Sequence, residues 1–294
     1  MATMPRPRPN RRMNILRLFK LIAAHPLNRA SRVQAFSRFL RWQVGSRLLG
    51  QPVALPFVNR THLLTETGMI GSTSNFYFGL HEVDDMAFTL HALREGDLFA
   101  DVGANIGSYT VLASVVGAQT IAVEPVPETF ERLMRNVRFN GIPAETHRCG
   151  LSAEPGELRF TADRDAMNRV ADADYPGATV TVPVTTLDGL LAGRVPFLIK
   201  IDVEGHEPAL LEGGARTLSD PGLQAVLMET NANVPLLMAR MEQFGFTAHR
   251  YNGFERRLEP AGVARQNTIF LRDPAMIAER CRTAPRFSLV NGTI

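Results

Sequence analysis

The chain has 294 residues, 45% of them hydrophobic and 21% charged, which excludes a disordered or fibrous polymer and leaves room for one large core with appendages. Its two cysteines, Cys149 and Cys281, are too few and too far apart for a disulfide framework or a metal clip, so a reducing, cytoplasmic setting is expected. The net charge of +3 conceals an asymmetry: residues 1–50 carry 11 Lys or Arg and no Asp or Glu, leaving 21 basic and 29 acidic residues, a net −8, for the rest.

The opening "MATMPRPRPNRR" has too little apolar surface to fold and reads as disordered. No apolar run reaches the roughly 20 residues that span a bilayer. Arg17 and Lys20 interrupt the segment from Ile15 to Ala24, which therefore reads poorly as a signal peptide. Ile15, Leu18, Phe19 and Ile22, and then Val33, Phe36, Leu40 and Val44, recur at helical spacing and predict two short basic amphipathic helices. These stripes dock on the main domain or a second subunit, or meet a membrane surface, a nucleic acid or an acidic partner. Residues 51–95 form a lead-in that can cover a pocket, with Asn75, Tyr77, His81 and Glu82 clustered ahead of a helix carrying Val83, Met86, Leu90 and Leu93.

From residue 96 to about 275, strands and helices alternate. Strands are predicted at Leu98–Val102, Thr120–Glu124, Phe197–Asp202 and Ala225–Glu229, with helices at Ile106–Val116, Pro127–Asn140, Glu207–Leu218 and Pro235–Phe244. Hairpin-like "GELRFTA" and "ATVTVPVTTLD" interrupt the series, Thr247–Tyr251 and Thr268–Leu271 close it, and residues 276–294 read as a tail. Such alternation predicts an α/β fold, a doubly wound sheet with helices on both faces.

In an open parallel sheet the ligand sits beyond the carboxyl ends of the strands, so the turn "DVGANIGS" after the first strand faces it. Gly103 and Gly107 suit a tight turn, but the middle glycine of a dinucleotide fingerprint is replaced by Asn105, which counts against a pyrophosphate and against a dehydrogenase. Asp101 suits a ligand amine. Glu124, ending the second strand beside Pro125, stands where an acidic residue takes ribose hydroxyls. A ligand with a ribose, an amine and no phosphate is S-adenosylmethionine.

The blocks "DVGANIGSYT", "VEPVPETFERLMRNVRFNG", "TLD" and "IKIDVEGHEPALLEGG" resemble, in this order, those of the FkbM family of S-adenosylmethionine-dependent methyltransferases, over about residues 80–275. The resemblance implies the class I methyltransferase Rossmann-like fold, mostly parallel with an antiparallel edge strand, here behind an N-terminal helical extension. It also implies Asp101, Gly103, Asn105, Gly107 and Glu124 around the cofactor, and methylation of oxygen on a sugar, a polysaccharide or a natural product.

Along "LIKIDVEGHE", Lys200, Asp202 and Glu204 alternate with apolar residues and would share one strand face. Charges in a central strand need a reason, and a position at the carboxyl end, where the methyl donor ends, supplies one. Asp202 is the first candidate for general base or acceptor orienter, followed by His206 and Glu204, with Lys200 polarising or orienting the acceptor; an ion pair that merely holds the loop is the structural alternative. Glu229 and Asn231, together with Tyr77 and His81, are candidate acceptor contacts. Asp202, Glu204 and Glu229 are ligand types that Mg²⁺ uses, but nothing in their spacing demands a metal, and none is included. The acceptor's identity is expected to lie in the lead-in and in irregular segments such as Arg164 to Thr179. The competing readings are an RNA methyltransferase using the basic arm and a non-catalytic adaptor at a membrane or partner. The expected partners are a small-molecule or saccharide acceptor rather than nucleic acid, with peripheral contact at the inner face of the membrane and homo-oligomerisation both open.

Overall fold

The computed structural model describes residues 15–29, 31–67, 69–163, 168–172, 174–230, 234–261 and 267–294. The Pro/Arg-rich opening, Asn231 and part of the segment from Arg164 to Thr179 lie outside the described residues. Two helices, α1 (Ile15–Ala24) and α2 (Arg32–Leu49), lead into a hairpin of β1 (Val53–Pro56) and β2 (His62–Thr65), then α3 (Ile70–Phe78) and α4 (Val83–Ala92). The alternating part follows as β3 (Leu98–Val102), α5 (Ser108–Val116), β4 (Gln119–Val123), α6 (Pro127–Phe139) and β5 (Glu145–His147). A small sheet of β6 (Gly150–Leu151), β7 (Gly156–Thr161) and β8 (Thr179–Thr185) comes next, before α7 (Leu187–Leu191) and β9 (Leu198–Ile201). The chain continues through α8 (Glu207–Gly213), α9 (Ala215–Ser219), β10 (Ala225–Glu229), α10 (Val234–Gln243), β11 (Thr247–Asn252), β12 (Arg257–Pro260) and β13 (Asn267–Leu271). It ends with α11 (Pro274–Thr283), β14 (Ser288–Leu289) and β15 (Gly292–Thr293).

The main sheet has eight strands in the order β12-β11-β13-β10-β9-β3-β4-β5. β5, β4, β3, β9 and β10 run parallel, so the chain moves outward from β3 to β5 and then crosses back to β9. The reversal of strand order lies between β3 and β9, and this is the switch point at which such sheets bind ligands. The antiparallel element is not confined to the edge: β13 is inserted between β10 and β11, and β12 forms the rim.

Alternation along the buried strands sends side chains into two cores. Phe99, Leu198 and Leu227 face α4, α5 and α11, while Val102, Ile199, Ile201, Val226 and Met228 face the opposite core with α8 and α10. Pro127 opens α6, whose Leu133 and Val137 are buried, and the chain turns at Gly141 with φ +63°.

Several expectations change in detail. The helix expected over Glu207–Leu218 is broken into α8 and α9 at Gly214, and a Cβ at the preceding Gly213 would collide with the carbonyl of Ser152. The residues read as a tail include α11, started by Pro274 and by Asp273 accepting from the Met276 N–H at 2.9 Å, with Ile277 and Cys281 fully buried. Within α2 the residues that dock on the body are Ala35, Phe39 and Trp42, packed with Ile22, Leu55, Tyr77 and Phe78. Of the expected stripe, Phe36 packs edge-on against Phe19, while Val33, Leu40 and Val44 face outward, because the two large aromatics Phe39 and Trp42 offer more apolar area to bury.

Candidate active site

The first cavity, about 600 Å³, opens at the switch point. Its walls are the residues that follow β3 (Gly103, Asn105), β4 (Glu124, Pro125) and β9 (Asp202, Val203, Glu204, His206), with Thr129, Cys149, Leu151, Phe160 and Asn168 completing it. The turn after β3 can pass so close because Gly103, at φ +76°, has no Cβ, and an added one would strike the carbonyl oxygen of Asp202. Asn105 also takes a left-handed conformation, φ +52°, its Oδ1 accepting from the Ile106 N–H at 2.8 Å. That bend aims the Asn105 N–H at Glu124 Oε2 (3.0 Å), while Glu124 Oε1 accepts from the Val126 N–H (3.0 Å). Glu124 is thus a buried carboxylate fixed by two backbone donors, with lone pairs to spare for two hydroxyls. Burial pushes its pKa up to about 7, beyond what the two N–H groups offset.

Of the other expected cofactor residues, Asp101 and Gly107 stand behind the wall. Asp101 is fully buried, Oδ2 accepting from the Thr110 hydroxyl at 2.6 Å and Oδ1 without a hydrogen-bond partner among the described residues. Burial raises its pKa against the pull of Lys200. Gly107 faces Leu133 of α6.

β9 ends at Ile201, one residue earlier than expected, so the three charges do not share a strand face. Lys200 points to the α5 side, its ammonium 2.9 Å from Asp202 Oδ2 and 4.8 Å from the centre of the Tyr109 ring. Burial opposes that charge, but Asp202, Asp101 and Glu82 outweigh it and hold the lysine pKa above its ordinary range. Glu204 is turned over by φ +51° and lines the cavity; burial, then Asp202 and Glu207, raise its pKa. His206 contacts Ser152 Oγ at 3.0 Å, and burial lowers its pKa, favouring the neutral ring.

Beyond Asp202 lies a second cavity of about 790 Å³, lined by His81, Glu82, Asp84, Asp85, Glu229 and Asn267. The two cavities nearly meet: carboxylate oxygens of Asp202, Glu204 and Glu229 all lie within 4.8 Å of one another. Three carboxylates at that spacing can share a proton or a divalent ion. Glu229 has its pKa raised to about 8 by burial and by Asp202, Glu204 and Glu207, and Lys200 neutralises Asp202, so the protein's own groups already supply much of the charge compensation. Asn267 donates to Glu82 (3.1 Å) and Asp85 (2.8 Å), and the Tyr109 hydroxyl donates to Glu82 (2.8 Å). Asp85 is raised to about 7 by burial, with Glu82 and Asp84 adding to the shift.

His81 lines this second cavity, its ring stacked on Phe78. Tyr77 does not, and the expectation of acceptor contact is corrected: it is buried against Phe39 and its hydroxyl accepts from Gln43 at 3.0 Å, because its helix is the surface on which α2 docks. Asn75 is likewise structural, accepting from the His81 N–H at 2.9 Å. Asp85, Tyr109 and Asn267 went unsingled in the sequence because no local spacing links them to Glu229.

A model of the Methyltransferase FkbM domain matches residues 101–248. Hexuronic acid methyltransferase AglP of Haloferax volcanii is 33% identical over 156 residues, covering 52% of this chain and 64% of that protein. The 31-O-demethyl-FK506 methyltransferase FkbM of Streptomyces tacrolimicus is 37% identical over 76 residues, covering 25% and 29%. The chain therefore spans less than two thirds of the length of these curated relatives. Among solved structures, the precorrin-6Y C5,15-methyltransferase of Geobacter metallireducens is 13% identical with a TM-score of 0.40, covering 71% of this chain and 92% of that one. Since the domain match takes in half of the residues and contains Gly103, Asn105, Glu124 and Asp202, the chain belongs to the FkbM methyltransferase domain family.

Proposed function

We propose that the chain transfers a methyl group from S-adenosylmethionine to a hydroxyl oxygen of a saccharide or a related polyhydroxylated metabolite. The observation that carries this reading is Glu124: a buried carboxylate held by two backbone N–H groups in the wall of a switch-point cavity, fit for a ribose and unfit for a diphosphate. Leu151 and Phe160 in the same wall offer an apolar face to a nucleobase. The family and the named activities of the two relatives point the same way.

When bound, S-adenosylmethionine supplies a methyl group on a positively charged sulfur, which keeps the bonding electron pair as the acceptor oxygen takes the carbon. The protein's part is to hold that oxygen in line, a positioning effect of about 7–11 kcal/mol at its best. In this reading Asp202 accepts the hydroxyl proton, and Lys200 fixes the Asp202 carboxylate through the 2.9 Å contact. Glu229 and Glu82, at the second cavity, accept hydrogen bonds from neighbouring hydroxyls of the acceptor. A nucleic acid acceptor fits poorly, since the described lining of that cavity holds four carboxylates and no Lys or Arg.

Calorimetry comparing S-adenosylmethionine with a nicotinamide dinucleotide tests the donor; tighter binding of the dinucleotide would overturn the reading, and binding of neither would favour the adaptor. Mass spectrometry of a cell extract incubated with labelled donor tests the acceptor, with a labelled saccharide or small metabolite expected. Label found only in RNA would shift the assignment to the rival.

A further inference from the structure

α2 is apolar on two opposite faces. One carries Ala35, Phe39 and Trp42 and is buried against the body. The other carries Val33 (82% exposed), Leu40 (56%), Val44 (58%) and Leu48 (80%). Successive spacings of seven, four and four residues place these four side chains on one stripe of the helix. Arg41 and Arg47 are exposed on either side of it. The first acidic residue of the whole chain is Glu66, so nothing in the preceding sequence neutralises the 11 basic residues of the first 50.

We infer that this stripe is a docking surface for an anionic lipid bilayer, lying in the interface with its aliphatic side chains among the acyl chains and its arginines at the headgroups. Branched aliphatics between arginines are the combination by which a helix lies on such a surface. Charge argues against a second copy: in a two-fold contact the same patch meets itself, which would press uncompensated arginines together. A nucleic acid would use the arginines and leave four aliphatic side chains in water. Among the described residues no helix is long and apolar enough to cross a membrane, so the contact is peripheral to that extent. This inference does not depend on the methyltransferase reading, because the stripe lies on the face of α2 opposite the one that touches the body.

The test is co-sedimentation of the full chain with vesicles of phosphatidylcholine alone and of phosphatidylcholine with phosphatidylglycerol at about 7:3. Partitioning at least tenfold higher on the anionic vesicles is expected, falling steeply between 0.1 and 0.5 M salt, as screening of surface charge requires. A Leu40→Glu/Leu48→Glu variant should lose at least tenfold of that partitioning while its unfolding midpoint and donor affinity stay at the parental values, since both side chains are already exposed. Equal binding to both vesicle types, no binding to either, or a double variant that still binds would overturn the inference. So would self-association, or binding of a single-stranded RNA oligonucleotide, that the double variant abolishes while vesicle binding persists.

Discussion

On one side of Asp202 the first cavity is walled by backbone that has been bent into place, with Gly103 and Asn105 in left-handed conformations and Glu124 clamped by the N–H groups of residues 105 and 126. On the other side the second cavity is walled by side chains from distant parts of the chain, Glu82 and Asp85 from the start of α4, Glu229 from β10 and Asn267 from β13. The first wall is rigid because peptide geometry defines it. The second depends on α4 packing over the sheet and on carboxylates whose pKa values burial raises first, with Glu82 and Asp84 adding to the shift at Asp85 and Asp202, Glu204 and Glu207 at Glu229. Donor binding should therefore be sensitive to backbone changes, and acceptor chemistry to charge.

The largest expected effect lies where the two cavities meet. Asp202→Asn keeps the shape of the junction but removes the proposed proton acceptor, so turnover should fall by about 10²–10⁴-fold. Donor affinity should stay within about threefold, because Asp202 lies outside the Glu124 clamp. Steady-state kinetics and calorimetry on the same preparation check this split; full turnover would move the base to Glu204 or His206. Gly103→Ala attacks the rigid wall instead. A Cβ directed at the Asp202 carbonyl, on a residue held at φ +76°, should cost about 2–5 kcal/mol in urea unfolding and remove measurable donor binding. A stable variant that binds donor normally would show that the close approach is not needed.

Glu124→Gln is milder and separates two pH dependences. Because burial raises the folded-state pKa of Glu124 to about 7 from 4.5, the folded protein takes up that proton before the unfolded chain does. Its contribution to the stability of the free protein is therefore full below about pH 4.5 and is lost as pH rises through about 7. Asp85 and Glu229, raised to about 7 and about 8, act in the same direction. Donor binding should show the opposite trend, strengthening above pH 7, where an ionised Glu124 accepts the ribose hydroxyls. Glu124→Gln should weaken donor binding by about 1–3 kcal/mol at pH 8 and flatten its dependence between pH 6 and 8. Calorimetry across that range decides; an unchanged slope removes Glu124 from the ribose.

The contrast between the cavities also explains what the sequence discloses. Gly103, Asn105 and Glu124 lie within 22 residues of one another, and their roles follow from local rules, a turn that needs glycine and an acid that ends a strand. Asp202 stood out because charge in a buried strand is unusual. Leu151, Phe160 and Asn168 close the same cavity from the small sheet and its connection, and nothing in an apolar or amide residue at those positions announces it. Asn267 is brought to Asp85 by the insertion of β13 beside β10, and Tyr109 to Glu82 by the packing of α5 against α4, tertiary facts with no period in the sequence. In α2, periodicity marked only the stripe of Val33, Phe36, Leu40 and Val44, and the buried face of Ala35, Phe39 and Trp42 is selected by the partner surface of Tyr77 and Phe78, which no local spacing discloses.

Tyr77→Phe gives the smallest expected effect and tests the boundary between arm and site. The phenol hydroxyl accepts from Gln43 Nε2 at 3.0 Å, joining α3 to α2, while the ring packs on Phe39. Removing the oxygen leaves the ring in place and a partly buried amide seeking another partner, which should cost about 0.5–1.5 kcal/mol. The loss should appear in the unfolding midpoint, with donor affinity, turnover and acceptor KM unchanged, because Tyr77 lines neither cavity. The paired variant Gln43→Ala should cost a similar amount, and the two together little more than either alone, since they remove the same bond. A rise in acceptor KM in Tyr77→Phe without loss of stability would return this residue to the acceptor side and break the separation between the docking helices and the two cavities.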